Sequence, residues 1–224
     1  MAAEEQNAPF TLAGPKPQPG EETPEVRRAR GANALSVAAR LMAGAMTFFF
    51  LSFGFAFVYL KTSNIEGKWR PANVAPIQSW GVVFVVCLVL SAIAIVIANR
   101  RQGQGKAWLG AATACLVLGL LAIIAQILEY TQQTFGPTNY AYASVFIGWT
   151  GFYILVMLMS IYWIEIQVAT EARELREQRQ PHEGKIVYEH PDRLLPRGLD
   201  AAAFFWTYLV GLGVIMWVLV YLVK

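Results

Sequence analysis

The chain has 224 residues, 56% of them hydrophobic and 15% charged, with a formal net charge of +3. The charges fall in short blocks between long uncharged runs, the pattern of an integral membrane protein, which leaves no room for a separate soluble domain. The positive excess sits in the connections between those runs, so it reads as a topology signal and gives no reason to invoke nucleic acid.

Residues 1–33 are rich in Pro, Glu and Gln and hold no apolar run. Such a segment cannot offset the entropy of ordering, and a flexible cytoplasmic arm is predicted. It lacks the basic start and apolar centre of a cleaved signal peptide, so the first span is expected to insert and stay.

A helix needs about 20 mostly apolar residues to cross the hydrocarbon core. Runs of that kind predict spans at about 41–60, 80–98, 107–128, 144–164 and 201–223, within a five-helix, all-α membrane domain over 34–224. After the first span, KTSNIEGKWRPANVAPIQS carries Gly67, Pro71 and Pro76, which break helices, and Trp69 and Trp80, which suit the headgroup level. This loop is expected along the membrane surface. The short basic connection NRRQGQGK makes spans two and three antiparallel neighbours. After span four, IEIQVATEARELREQRQP keeps helix formers as far as Pro181, which predicts a charged helical extension; an irregular connector follows, the two together filling 165–200.

Cytoplasmic loops retain Lys and Arg. With the N-terminus inside, fourteen of the 18 Lys and Arg fall on the inner side and four on the outer. The expected topology is therefore N-terminus cytoplasmic, C-terminus outside, in a bacterial inner membrane.

A haem b site within a helix bundle needs His ligands in the membrane. Both histidines, His182 and His190, fall in the connector, so intramembrane haem ligation by this chain is excluded. Their spacing, with Glu183, Glu189 and Asp192 nearby, matches no zinc-site geometry. Cys87 and Cys115 lie mid-span without a ligand cluster and read as packing residues. Gly44, Gly54, Gly110, Gly119, Gly148, Gly151, Gly211 and Gly213, with Ser52, Ser91, Thr113 and Thr150, suit close helix contacts. No catalytic, cofactor-binding or metal site is predicted.

Span three ends in QILEYTQQTFGPT, which places Gln126 and Glu129 one helical turn apart and Tyr130 beside them. A carboxylate closing so apolar a helix either reaches water or accepts hydrogen bonds from neighbouring groups.

From this point the chain resembles subunit III of the haem-copper terminal oxidases, the cytochrome c and quinol oxidase family. Its form LG-x-x-F-x-x-x-Q-x-x-EY is matched by Leu118, Gly119, Gln126, Glu129 and Tyr130. The family's YGS-x-F-x-x-TGFHG-x-H run is similar to Tyr142, Ala143, Ser144, Phe146, Thr150, Gly151 and Phe152. FFLSFGFAFVYLK resembles the family's first shared helix, and GKWRP follows where the family has a Trp-Pro pair. The last span, AAAFFWTYLVGLGVIMWVLVYLV, which contains Trp206, resembles the family's last helix.

The departures all run one way. Ala45 and Met46 stand where the family often has Ser-Glu, Tyr153 and Val156 replace two His, and Thr207 and Val210 replace a His and an Asp.

The resemblance implies a non-catalytic subunit of a respiratory electron-transport complex, packed beside the haem-bearing subunit I, with haem and copper in the partner subunits and lipids held in a cleft. The lost ionisable groups count against a proton-related role. Gln126, Glu129, Tyr130, Thr150, Gly151 and Trp206 are the structural and assembly candidates. Glu129 is expected as a latch on the outer loop, bonded to a backbone or indole donor, with Tyr130 in the interface belt. The rival assignments are an accessory subunit of a nitric oxide reductase or an alternative quinol-oxidising complex, and a small stand-alone permease.

Overall fold

The computed structural model describes residues 24–64, 69–71, 74–104, 106–179 and 198–223. His182 and His190, Pro181, most of the connector after span four and residues 1–23 of the arm lie outside them. The described residues form helices α1 (Pro24–Thr62), α2 (Gln78–Gly103), α3 (Leu109–Gln132), α4 (Ala141–Arg179) and α5 (Leu199–Trp217), the last running into a π-helical turn, Val218–Leu222. All five carry a stretch long and apolar enough to cross a membrane, at Asn33–Thr62, Gln78–Gly103, Leu109–Gln132, Ala141–Thr170 and Leu199–Leu222.

The helix ends follow local chemistry. Ile77, after Pro76, is extended and precedes α2. Between α3 and α4, Gly136-Pro137-Thr138-Asn139 turns the chain, with the Gly136 N–H donating to Asn139 Oδ1 at 3.1 Å. At the start of the chain the structure departs from expectation, because residues 24–33, assigned to the flexible arm, belong to α1. Pro24 opens the helix at a position where its missing N–H costs nothing, and Arg and Ala are good helix formers.

α2 and α3 form a closely packed antiparallel pair, and α5 contacts α1, α2 and α4. α1 is the most peripheral span, with 17% of its apolar window buried against 39–50% for the other four. Polar side chains cross between helices. Tyr208 bonds Thr47 (2.6 Å), Tyr153 donates to the Leu209 carbonyl (2.7 Å) and Asn99 donates to Asp200 (3.0 Å). Each such bond between membrane helices contributes about 0.6–2 kcal/mol.

The described residues of the loop between α1 and α2 pack onto the ends of the helices. Trp69 is 7% exposed, edge-on to Phe57 and Tyr142 at 5.3 and 5.7 Å, and its carbonyl accepts the Tyr142 N–H at 3.2 Å. Arg70 sits 4.7 Å over the Tyr142 ring and donates through Nε to the Val74 carbonyl at 2.9 Å. The aromatic side chain of Trp69 thus gains ring contacts over the helix ends.

The glycines divide. A Cβ on Gly213 would stand 2.3 Å from Tyr153 Oη and 2.6 Å from Leu88 Cδ2, and one on Gly119 3.0 Å from the Trp206 ring, so these two do admit a close neighbour. Gly44, Gly110, Gly151 and Gly211 have no neighbour within 4 Å, and within this chain the close-contact reading fails for them.

Candidate functional site

Glu129 lies in the last turn of α3 and is 0% exposed. A buried carboxylate is costly unless its oxygens accept hydrogen bonds. Oε1 accepts the Ile77 backbone N–H at 3.0 Å and Gln133 Nε2 at 3.4 Å. Oε2 accepts Gln126 Nε2 at 2.9 Å and the Tyr221 hydroxyl. The spacing of three puts Gln126 on the same face of α3 as Glu129. Ile77 immediately precedes α2 and has no capping side chain of its own. Glu129 therefore supplies from another helix the acceptor and the negative charge that a helix N-terminus favours.

Tyr221 reaches the carboxylate from the π turn at the end of α5. That turn is held from two sides, since Tyr142 Oη donates to the Val220 carbonyl and Gln78 Nε2 to the Tyr221 carbonyl, both at 2.9 Å. One end of the bundle is thus tied together: the end of α3, the start of α2, the end of α5 and, through Tyr142, the start of α4.

An expected indole donor takes a different acceptor. Trp80 Nε1 donates to Gln132 Oε1 at 2.9 Å and not to Glu129. Tyr130, expected in the interface belt, is half-buried, with its hydroxyl on Thr150 Oγ1. Because Thr150 spends its own proton on the Phe146 carbonyl (2.6 Å), Tyr130 is the donor. Trp206 belongs to a separate group on α5, donating to Ser91 Oγ at 3.0 Å while Ser91 donates to the Leu88 carbonyl. Gly151 touches neither group.

Sequence reasoning missed Tyr221, Ile77, Gln78 and Gln133 as partners of this end. Gln78 carried a weak signal, a polar residue just ahead of a span. Tyr221 carried none, because a tyrosine near a span end ordinarily serves the interface. Among the described residues no group of three or more His, Cys, Asp or Glu is placed to hold a metal ion. Chemically, the Glu129 arrangement is an acceptor surrounded by donors, suited to holding helix ends in register.

Gly81 provides a test. A Cβ there would meet the Tyr221 ring at 2.3 Å, which forces the ring aside and draws its hydroxyl off Glu129. Gly81→Ala is expected to cost about 1–3 kcal/mol, the usual range for overpacking. Gly151→Ala, with open space around it, should be neutral or stabilising by up to about 1 kcal/mol. Thermal unfolding midpoints in a mild detergent distinguish the two.

No protein-family model matches the chain. Curated proteins do. "Cytochrome c oxidase subunit 3" of Tetraodon nigroviridis is 23% identical over 209 residues, covering 90% of this chain and 72% of the relative. The protein of the same name from Gallus gallus is 23% identical over 210 residues, with 91% and 71% covered. That from Oncorhynchus mykiss is 25% identical over 209 residues, with 90% and 72% covered. The chain is thus a distant relative of the cytochrome c oxidase subunit 3 proteins, with a likeness that runs along most of its length.

Proposed function

We propose that this chain is a non-catalytic, subunit III-like component of a respiratory haem-copper terminal oxidase in a bacterial inner membrane. It packs beside the haem-bearing subunit I, supports its assembly and stability, and leaves haem and copper to the partner subunits. The observation that carries this reading is the extent of the likeness, which spans 90% of the chain in a protein with five apolar helices. The Glu129 arrangement suits the role, because a subunit that contributes by shape needs its helix ends held in fixed register. The N-terminus is assigned to the cytoplasm on the Lys and Arg asymmetry.

One observation favours a different respiratory partner, such as a nitric oxide reductase or an alternative quinol-oxidising complex. Tyr153, where the family has a His, is buried with its hydroxyl on the Leu209 carbonyl, so that position is given over to joining α4 to α5. Val156, Thr207 and Val210 offer no ionisable group either.

Purification from native membranes in a mild detergent, followed by a haem spectrum and identification of accompanying chains, tests both. A haem-copper oxidase subunit is expected to travel with this chain, and a nitric oxide reductase or quinol-oxidising partner would support the second reading. A stable, monodisperse chain with no partner would overturn both in favour of a stand-alone permease.

A further inference from the structure

The Trp-Pro pair of the subunit III family is interrupted in this chain by Arg70, which stands between Trp69 and Pro71. A long cationic side chain beside the end of a membrane helix ordinarily extends its charge into water. Arg70 is instead held back. It is half-buried over a tight turn, in which the Pro71 carbonyl accepts the Val74 N–H at 2.9 Å and the Val74 carbonyl accepts Arg70 Nε, also at 2.9 Å. The Tyr142 ring lies 4.7 Å under the guanidinium. Backbone on one edge and a ring on one face fix its orientation.

Held this way, the guanidinium is short of acceptors. Nε is taken by Val74 and Nη1 is buried with no acceptor among the described residues, so the Nη1–Nη2 end of the fork is the part left over. Its charge is not balanced either. The charged side chains among the described residues at this end of the bundle are Lys61, Arg70 and Glu129, and Glu129 is fully buried with its oxygens on Ile77, Gln133, Gln126 and Tyr221. A fixed, partly desolvated guanidinium with donors to spare matches a carboxylate. The surface beside it is membrane-facing and uncovered, because α1 is the least buried span and its last turns expose Phe55, Val58 and Tyr59. On the same turns Phe57 meets Trp69, the neighbour of Arg70. A chain packed on this half of α1 therefore comes within reach of Arg70.

We infer that Arg70 is a docking point for a partner membrane chain, which packs on the C-terminal half of α1 and places an Asp or Glu carboxylate on the Arg70 guanidinium. The contact sits over the end of the bundle that Glu129 ties together, where the receiving surface is already held in register. This inference rests on the reading of the chain as a subunit of a larger complex. It does not depend on which complex that is.

The test uses the full chain with whatever subunits accompany it, purified from native membranes in a mild detergent. Arg70→Lys puts a primary amine at this position, and a water-soluble carbodiimide joins an amine to a carboxylate in direct contact. The linked peptides are identified by mass spectrometry. A cross-link from position 70 to an Asp or Glu of another chain is expected in Arg70→Lys and absent from the native protein, whose guanidinium does not react. Arg70→Gln should lower the amount of partner retained about tenfold, the effect of one lost charge-assisted contact. It should also flatten the fall of retention with rising salt that the native complex shows. Should Arg70→Gln fail to fold, the Arg70→Lys cross-link carries the test alone. A cross-link only to Glu66 of the same chain, no cross-link while a partner is present, or native retention in Arg70→Gln would each overturn the docking point and leave the subunit reading standing. Purification without any partner would overturn both.

Discussion

Glu129→Ala is expected to lower the stability of the bundle by about 3–5 kcal/mol, since each buried donor left without its acceptor costs about 1–3 kcal/mol. The loss has an identifiable origin. The Ile77 N–H, Gln126 Nε2 and the Tyr221 hydroxyl would all lose their acceptor at once, in a place where Glu129 itself is fully buried. Glu129→Gln should be milder, at about 1–2 kcal/mol. Its amide oxygen can still accept from Ile77. The Gln126 amide can turn to offer Oε1, which has no partner in the native arrangement, and the Tyr221 hydroxyl can accept as well as donate. The measurements are the thermal midpoint in mild detergent and, under the proposed function, the fraction of the chain retained with the proposed oxidase partner after purification. Full retention of both variants with equally slowed turnover of the proposed oxidase would show that Glu129 acts through its charge, and the latch reading would fall.

Trp206→Ala is the other substitution expected to do large damage, at about 3–5 kcal/mol for deleting a large buried aromatic side chain. Trp206 is 0% exposed and joins three helices: it sits on α5, bonds Ser91 of α2 and packs where Gly119 of α3 leaves room. Alanine leaves a void on this seam that the rigid, glycine-lined backbone of α3 cannot close. Trp206→Phe keeps most of the ring packing and gives up the hydrogen bond, worth about 1 kcal/mol. Ser91 stays satisfied through the Leu88 carbonyl in either case, so the difference between the variants isolates the packing. Equal midpoints for Trp206→Ala and the native chain would show that the α2–α3–α5 seam does not rest on this side chain.

Five apolar spans were legible in the sequence because crossing hydrocarbon requires a continuous run of uncharged residues, which is a local property of the chain. The shared face of Gln126 and Glu129 was legible for the same reason, since helical spacing alone puts them together. The start of α1 at Pro24 was also a local matter, but the Pro, Glu and Gln content of residues 1–33 and their lack of an apolar run gave the whole segment the look of a flexible arm.

What only the tertiary structure decided is which groups meet. The donors on Glu129 come from Ile77, 52 positions earlier, and from Tyr221, 92 positions later. No spacing rule links residues so far apart in the chain. Whether Gly213 or Gly151 touches a neighbour likewise depends on the helix opposite, and so does the inward turn of Trp69 over Phe57 and Tyr142. Composition and the length of the uncharged runs set where each helix lies. The pairing of its few polar groups is set by helix packing, because in a medium without water a buried donor must find its acceptor on whichever helix the fold brings near.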